Sequence, residues 1–216
     1  MEEIPGLLAD PATGQKALPE VIQAYWQLKD EARLAGWRLS LSSGYRSFKD
    51  QSRIWNGSYD QLPKKIRRDP AAAVRAVLKD KSVPGLSRHH WATELDITEK
   101  NLRGQLSGVA EGVSQKVLAF YRWMDENAPR FGFCRVYRGL GAVSDERWHW
   151  SYLKLATVYG RRAGGIGDLS KIEDPRVRGM AFIRKNIWEL YRLQVESVSA
   201  DCAENGITSP FKADHP

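Results

Sequence analysis

Four residues in two distant stretches of the chain carry side chains suited to a divalent metal: His89 and Asp96, seven residues apart, and Glu146 and His149, three apart. A catalytic zinc site takes three protein ligands from His, Asp, Glu and Cys and leaves a fourth position open. His89 stands in the turn-forming PGLSRHH and Asp96 within the alternating TELDITE, so a turn folding back on its strand brings both donors near one point. In ERWHW, a carboxylate three residues before a histidine offers a third ligand and a base that stays off the metal. The plainer reading is that a lone histidine beside a strand is structural and an Asp entering a strand terminates it. Spacing leaves these two as rivals.

The remaining segments read as the elements that position those residues. A chain of 216 residues, 42% hydrophobic and 27% charged, suits one globular unit with an appendage, and no apolar run long enough for a membrane span is present, so an integral membrane protein is not expected. The opening MEEIPGLLADPATG is acidic where a secretory leader would be basic, so no export signal is expected there. Cys134 and Cys202 lack C-x-x-C spacing and read as two quiet thiols. Lys and Arg exceed Asp and Glu by 33 to 26, with basic runs at 64–81 and between Arg161 and Lys185, which suits an anionic partner. No zinc-finger spacing, basic heptad or interleaved aromatic pattern accompanies the charge, so nucleic acid is not expected as a partner.

Val21, Tyr25, Leu28, Ala32 and Ala35 recur at helical intervals between Pro19 and Gly36 and predict a first helix. Trp37, Leu39 and Leu41 alternate in a strand ending at Gly44, and SFKDQSRIWNG predicts a helix capped by Ser47 and closed by Gly57. A basic loop and a helix from Pro70 to Leu78 lead into the strand TELDITE. A helix from about Ser114 to Arg130 precedes FGFCRVYRG and RWHWSYLKLA, whose aromatic and β-branched residues read as strands. YGRRAGGIGDLS is a Gly-rich connector, and Met180, Ile183, Ile187, Leu190 and Val198 predict one long amphipathic helix from Pro175 onward. The order is α+β, a small antiparallel sheet flanked by helices. It divides into a lead of residues 1–18, a core of 19–155, and a C-terminal helical extension of 156–216 packed on that core.

Three segments carry a resemblance. SRHHWATELD resembles the S-x-H-x-x-G-x-A-x-D motif of the LAS zinc peptidases of the VanX and VanY type. ERWHWSY is similar to their E-x-W-H-x-x-Y, and SSGYRSFKDQ to their S-G-Y-R-S-x-x-x-Q, all in the family's order. The resemblance implies a catalytic zinc in a cleft, bound by His89, Asp96 and His149, with Glu146 as base. It also implies that Arg46, with help from Gln51 and Ser87, contacts the substrate; Tyr152 and Trp91 are further pocket candidates, and Trp148 and Trp150 read as core aromatics.

The implied activity is hydrolysis of peptidoglycan stem peptides at the bacterial cell wall or periplasm, foremost as a D,D-carboxypeptidase. An endopeptidase cutting L-Ala-D-Glu bonds or D,D cross-links is the enzymatic alternative, and an inactive wall-binding module the other. The implied partners are peptidoglycan peptides and, given the basic runs, anionic cell-wall polymer. His90 matches no ligand position. Ala92 replaces the motif's Gly, and Glu94 replaces its Ala. Glu94 stands two residues from Asp96 and so shares its strand face, where it is expected to add charge or reshape the pocket.

Overall fold

The computed structural model describes residues 4–102, 114–139, 143–164, 169 and 172–202, with 160–164 as backbone alone. Two short strands, β1 (Leu8–Ala9) and β2 (Lys16–Ala17), pair antiparallel at the start of the chain. Pro at the first turn and the expected apolar spacing give α1 (Pro19–Leu34), which buries Val21, Ile22, Tyr25 and Leu28. The main sheet has four antiparallel strands in the order β3 (Leu39–Ser43), β4 (Glu94–Glu99), β6 (His149–Tyr152) and β5 (Phe133–Arg135). The architecture is the α+β arrangement that the sequence predicts.

Strand alternation separates the sheet into two unlike faces. Leu39 and Leu41, Leu95 and Ile97, and Trp150 join α1 and α5 (Gln115–Asn127) in one apolar core, with Phe120, Tyr121 and Met124 supplied by α5. The intervening residues Glu94, Asp96, His149 and Ser151 are buried and polar, and belong to the other face. A second apolar cluster gathers α2 (Phe48–Gln61), α4 (Pro70–Leu78), Val83 and Leu86 with Met180, Ile183, Ile187 and Leu190 of the C-terminal segment.

Several elements differ from the sequence reading. Gly57 lies inside α2, which runs on to Gln61, because Trp55 and Tyr59 on either side of it are buried and hold the turn. The basic stretch contains a short helix, α3 (Lys64–Arg67). RWHWSYLKLA is a strand only as far as Tyr152 and continues as α6 (Leu153–Gly164), and FGFCRVYRG is a strand only over Phe133–Arg135. The Gly-rich connector lies partly outside the described residues. Instead of one long helix, the C-terminal segment forms α7 (Met180–Lys185), α8 (Ile187–Tyr191), a wide π-type turn (Arg192–Glu196) and a final helical turn (Ala200–Cys202).

Cys134 and Cys202 are not separate thiols but a disulfide, with Cα atoms 5.8 Å apart and 68 residues between them in sequence. Distance along the chain hid the pairing; folding of the C-terminal segment onto β5 makes it. Closing a loop of that length removes denatured-state entropy worth about 4 kcal/mol. Cys202→Ser is expected to lower the free energy of unfolding by about that amount, read from urea titrations of oxidised protein.

Candidate metal centre

The register of β4 against β6 places Asp96 directly opposite His149. His89 reaches the same point from a 3-10 turn, Arg88–Trp91, that feeds β4. This turn ends at Ala92 in a left-handed conformation, φ 56°, which explains why the family motif has Gly at that position. One ligand atom from each of His89, Asp96 and His149 lies within 4.8 Å of the other two. His89 Nε2 stands 3.3 Å, and His149 Nδ1 3.2 Å, from Asp96 Oδ1.

The chemistry of these atoms fits a cation. His89 donates Nδ1–H to the Gly44 carbonyl at 2.7 Å, which leaves Nε2 as the lone-pair nitrogen. That Nε2 is buried without a hydrogen-bond partner among the described residues. Burial and the Arg46 charge lower the pKa of His89, keeping it neutral. Burial works against the Asp96 carboxylate, but His89, His149 and Arg46 hold its pKa well below the usual range. Burial also opposes charge on His149, yet hydrogen bonds to Asp96 and Glu94 raise it to about 9, so without a cation it is an imidazolium between two carboxylates. A metal held by Asp96 and His149 would supply there the positive charge that the Nδ1 proton otherwise supplies.

Glu146 lies beside the three, with Oε2 3.8 Å from His149 Nδ1, and burial pushes its pKa up to about 7. Its backbone N–H donates to the Tyr137 carbonyl, and its own carbonyl accepts from His149 N–H, so the turn before β6 sets its position. Arg46 donates to Asp96 Oδ2 at 2.7 Å, to Ser43 Oγ at 2.8 Å and to Gln51 Oε1 at 3.4 Å. Arg46, Lys81, Glu146, Trp148 and the three candidate ligands line a cleft of about 360 Å³.

The other expected site residues divide. Gln51 is fully buried and spends its amide on Arg46 and the Ser82 carbonyl, so it stands behind the cleft wall. Ser87 is also buried, its Oγ without a hydrogen-bond partner among the described residues. Tyr152 does not join the pocket. It follows Ser151 on the opposite face of β6, packs on Phe133 and donates to Glu20 at 2.9 Å. Trp91 stacks under Arg88 instead of lining the cleft, whereas Trp148, expected in the core, does line it. His90, without a ligand role, clamps the turn: Nδ1–H donates to the Arg46 carbonyl and Nε2 accepts from Gly85 N–H.

Spacing missed Arg88, Ser151 and Tyr137. The available signal was Glu94 itself, since a carboxylate inside a strand beside Asp96 requires a buried cation to pair with it. Tyr137 packs its ring 5.0 Å from that of His149, and its hydroxyl donates to the Gln194 carbonyl.

The matching family model is described as VanY, D-alanyl-D-alanine carboxypeptidase, and spans residues 15–155. A D-alanyl-D-alanine carboxypeptidase from Enterococcus faecalis is 32% identical over 139 residues, covering 62% of this chain and 47% of that protein. An uncharacterized Haemophilus influenzae protein is 35% identical over 84 residues, covering 35% of this chain and 64% of its own length. The chain thus spans about half of the first relative and under two thirds of the second. Among solved structures, the vancomycin-resistance D,D-pentapeptidase VanY in complex with Zn(II) aligns with TM-score 0.56 at 26% identity, over 73% of this chain and 84% of that one. VanYB in complex with D-alanine-D-alanine aligns with TM-score 0.55 at 23% identity, over 81% and 91% of the two chains, and shares the fold.

One transition-metal ion per chain is expected in equilibrium dialysis. His149→Ala should weaken that binding by more than about 100-fold, because a lost ligand costs more than a lost outer partner.

Proposed function

Since the chain belongs to the VanY-type D-alanyl-D-alanine carboxypeptidase family, we propose that it is a zinc peptidase removing the terminal residue from D-alanyl-D-alanine-ended peptidoglycan peptides. The observation that carries this reading is the convergence of His89 Nε2, Asp96 Oδ1 and His149 Nδ1 beside the Glu146 carboxylate. Zinc is the metal of choice because a compact His, Asp and His set is a zinc donor set, and the related VanY structure carries Zn(II). When bound, zinc supplies Lewis acidity that polarises a carbonyl and brings water ionisation near neutral pH.

The chain's own residues do the remaining work. Glu146 takes the proton of the attacking water on its carboxylate and returns it to the leaving amine. Arg46 is fixed by Ser43, Gln51 and Asp96, and a guanidinium held in that way keeps a planar fork for an oxyanion or a terminal carboxylate. It also orients Asp96 by occupying the oxygen turned away from the histidines. The Cys134–Cys202 disulfide supports action outside a reducing compartment, at the wall or in the periplasm.

Mass spectrometry of defined muropeptides incubated with protein and zinc tests the proposal. Loss of one terminal D-Ala is expected; fragments from an internal bond would reassign the chain as an endopeptidase, and intact peptides would leave it no peptidase role. Glu146→Ala is expected to keep its zinc while hydrolysis falls about 10²- to 10⁴-fold, measured as product formed per bound metal.

A further inference from the structure

The two histidines of the centre present opposite ring nitrogens. For His89 the proton is pinned at Nδ1 by the Gly44 carbonyl; for His149, whose Nδ1 faces the candidate ligand Asp96 at 3.2 Å, the acceptor behind the ring is Glu94, with Oε2 3.0 Å from Nε2. An imidazole binds a metal through the nitrogen that carries no proton, so the acceptor on the far side decides which nitrogen is offered. We propose that Glu94 is a positioning residue: it holds the proton of His149 at Nε2 and turns Nδ1 toward the metal.

Glu94 is built to stay in place. It is fully buried, and its second oxygen accepts from Ser151 Oγ at 2.7 Å, Thr93 Oγ1 at 3.1 Å and Arg88 Nη2 at 3.2 Å. Arg88 is only 1% exposed. Its Nη2 also donates to Ser151 Oγ and its Nη1 to the Val195 carbonyl, and its guanidinium lies 4.4 Å from the Trp91 ring centre. A buried ion pair of this kind returns little net stability, because desolvating two charges offsets their attraction. Stability therefore does not account for the pair, whereas an anionic acceptor locked behind a ligand imidazole raises the ligand's basicity and fixes its ring. Through Val195, the C-terminal segment becomes part of the support of the centre.

The inference rests on the metal-site reading above, and the experiment separates the two. Zinc affinity is measured on the full chain by competition with a chromophoric chelator, for wild type, Glu94→Gln, and the double variant Arg88→Met with Glu94→Leu. Exchanging the whole pair for apolar groups avoids leaving one buried charge alone, so that protein keeps its fold when Glu94→Gln does not. In the folded variants zinc affinity is expected to fall about 10- to 100-fold. The visible absorption bands of the Co²⁺-loaded protein are expected to shift, a change that lost packing remote from the centre does not produce. Wild-type affinity and an unchanged cobalt spectrum in the double variant would overturn the role of Glu94 alone. A wild-type chain that takes up no zinc would overturn the metal-site reading, and this inference with it.

Discussion

The pairing of Asp96 with His149 across β4 and β6 is the constraint on which the centre depends. Side chains alternate along a strand, so this one register turns Asp96, Glu94, His149 and Ser151 to one face and Leu95, Ile97 and Trp150 to the other. A slip of one residue would put Leu95 and Trp150 among the polar groups and Asp96 and His149 in the apolar core. The large hydrophobic cluster of α1, α5 and the sheet thus sets the geometry of the candidate ligands indirectly, by making every other register costly.

Electrostatics complete what the register begins. Two carboxylates are buried side by side, and each is bound on one oxygen by histidine and on the other by arginine: Asp96 by Arg46, Glu94 by Arg88. Burial opposes charge on both, but those partners keep both ionised, with the Glu94 pKa lowered to about 2. Glu146 has no arginine bound to it among the described residues, and burial raises its pKa instead, so environment alone sets it apart from the other two carboxylates.

The turn and the C-terminal segment secure this arrangement from outside the sheet. His89 and His90 each donate to a carbonyl of the loop after β3, Gly44 and Arg46, so the adjacent histidines hold that loop and the ligand turn together. Gly44 is required there because a Cβ would meet the Lys16 carbonyl of β2. Gln194 accepts from Val83 N–H with its side chain and from Tyr137 with its carbonyl, joining the cleft wall to the segment that the disulfide fastens to β5.

Much of this was legible along the chain. The α+β order, α1, α4, α5 and the two strands of the site follow from apolar periodicity, helix boundaries and β-favouring residue types, and the three motifs single out His89, Asp96, Glu146 and His149, which the fold then brings together. What the chain order concealed depends on partners remote in sequence. The breaks in the C-terminal helix, the Cys134–Cys202 bond, the turn of Tyr152 away from the cleft and the bond from Arg88 to Val195 are each decided by packing across many residues. Residue types and short spacings specify which groups are available and on which face of a strand they stand. Which nitrogen a histidine offers, and which cation satisfies a buried carboxylate, is settled only when distant segments meet, because hydrogen bonds and desolvation act through space and not along the chain.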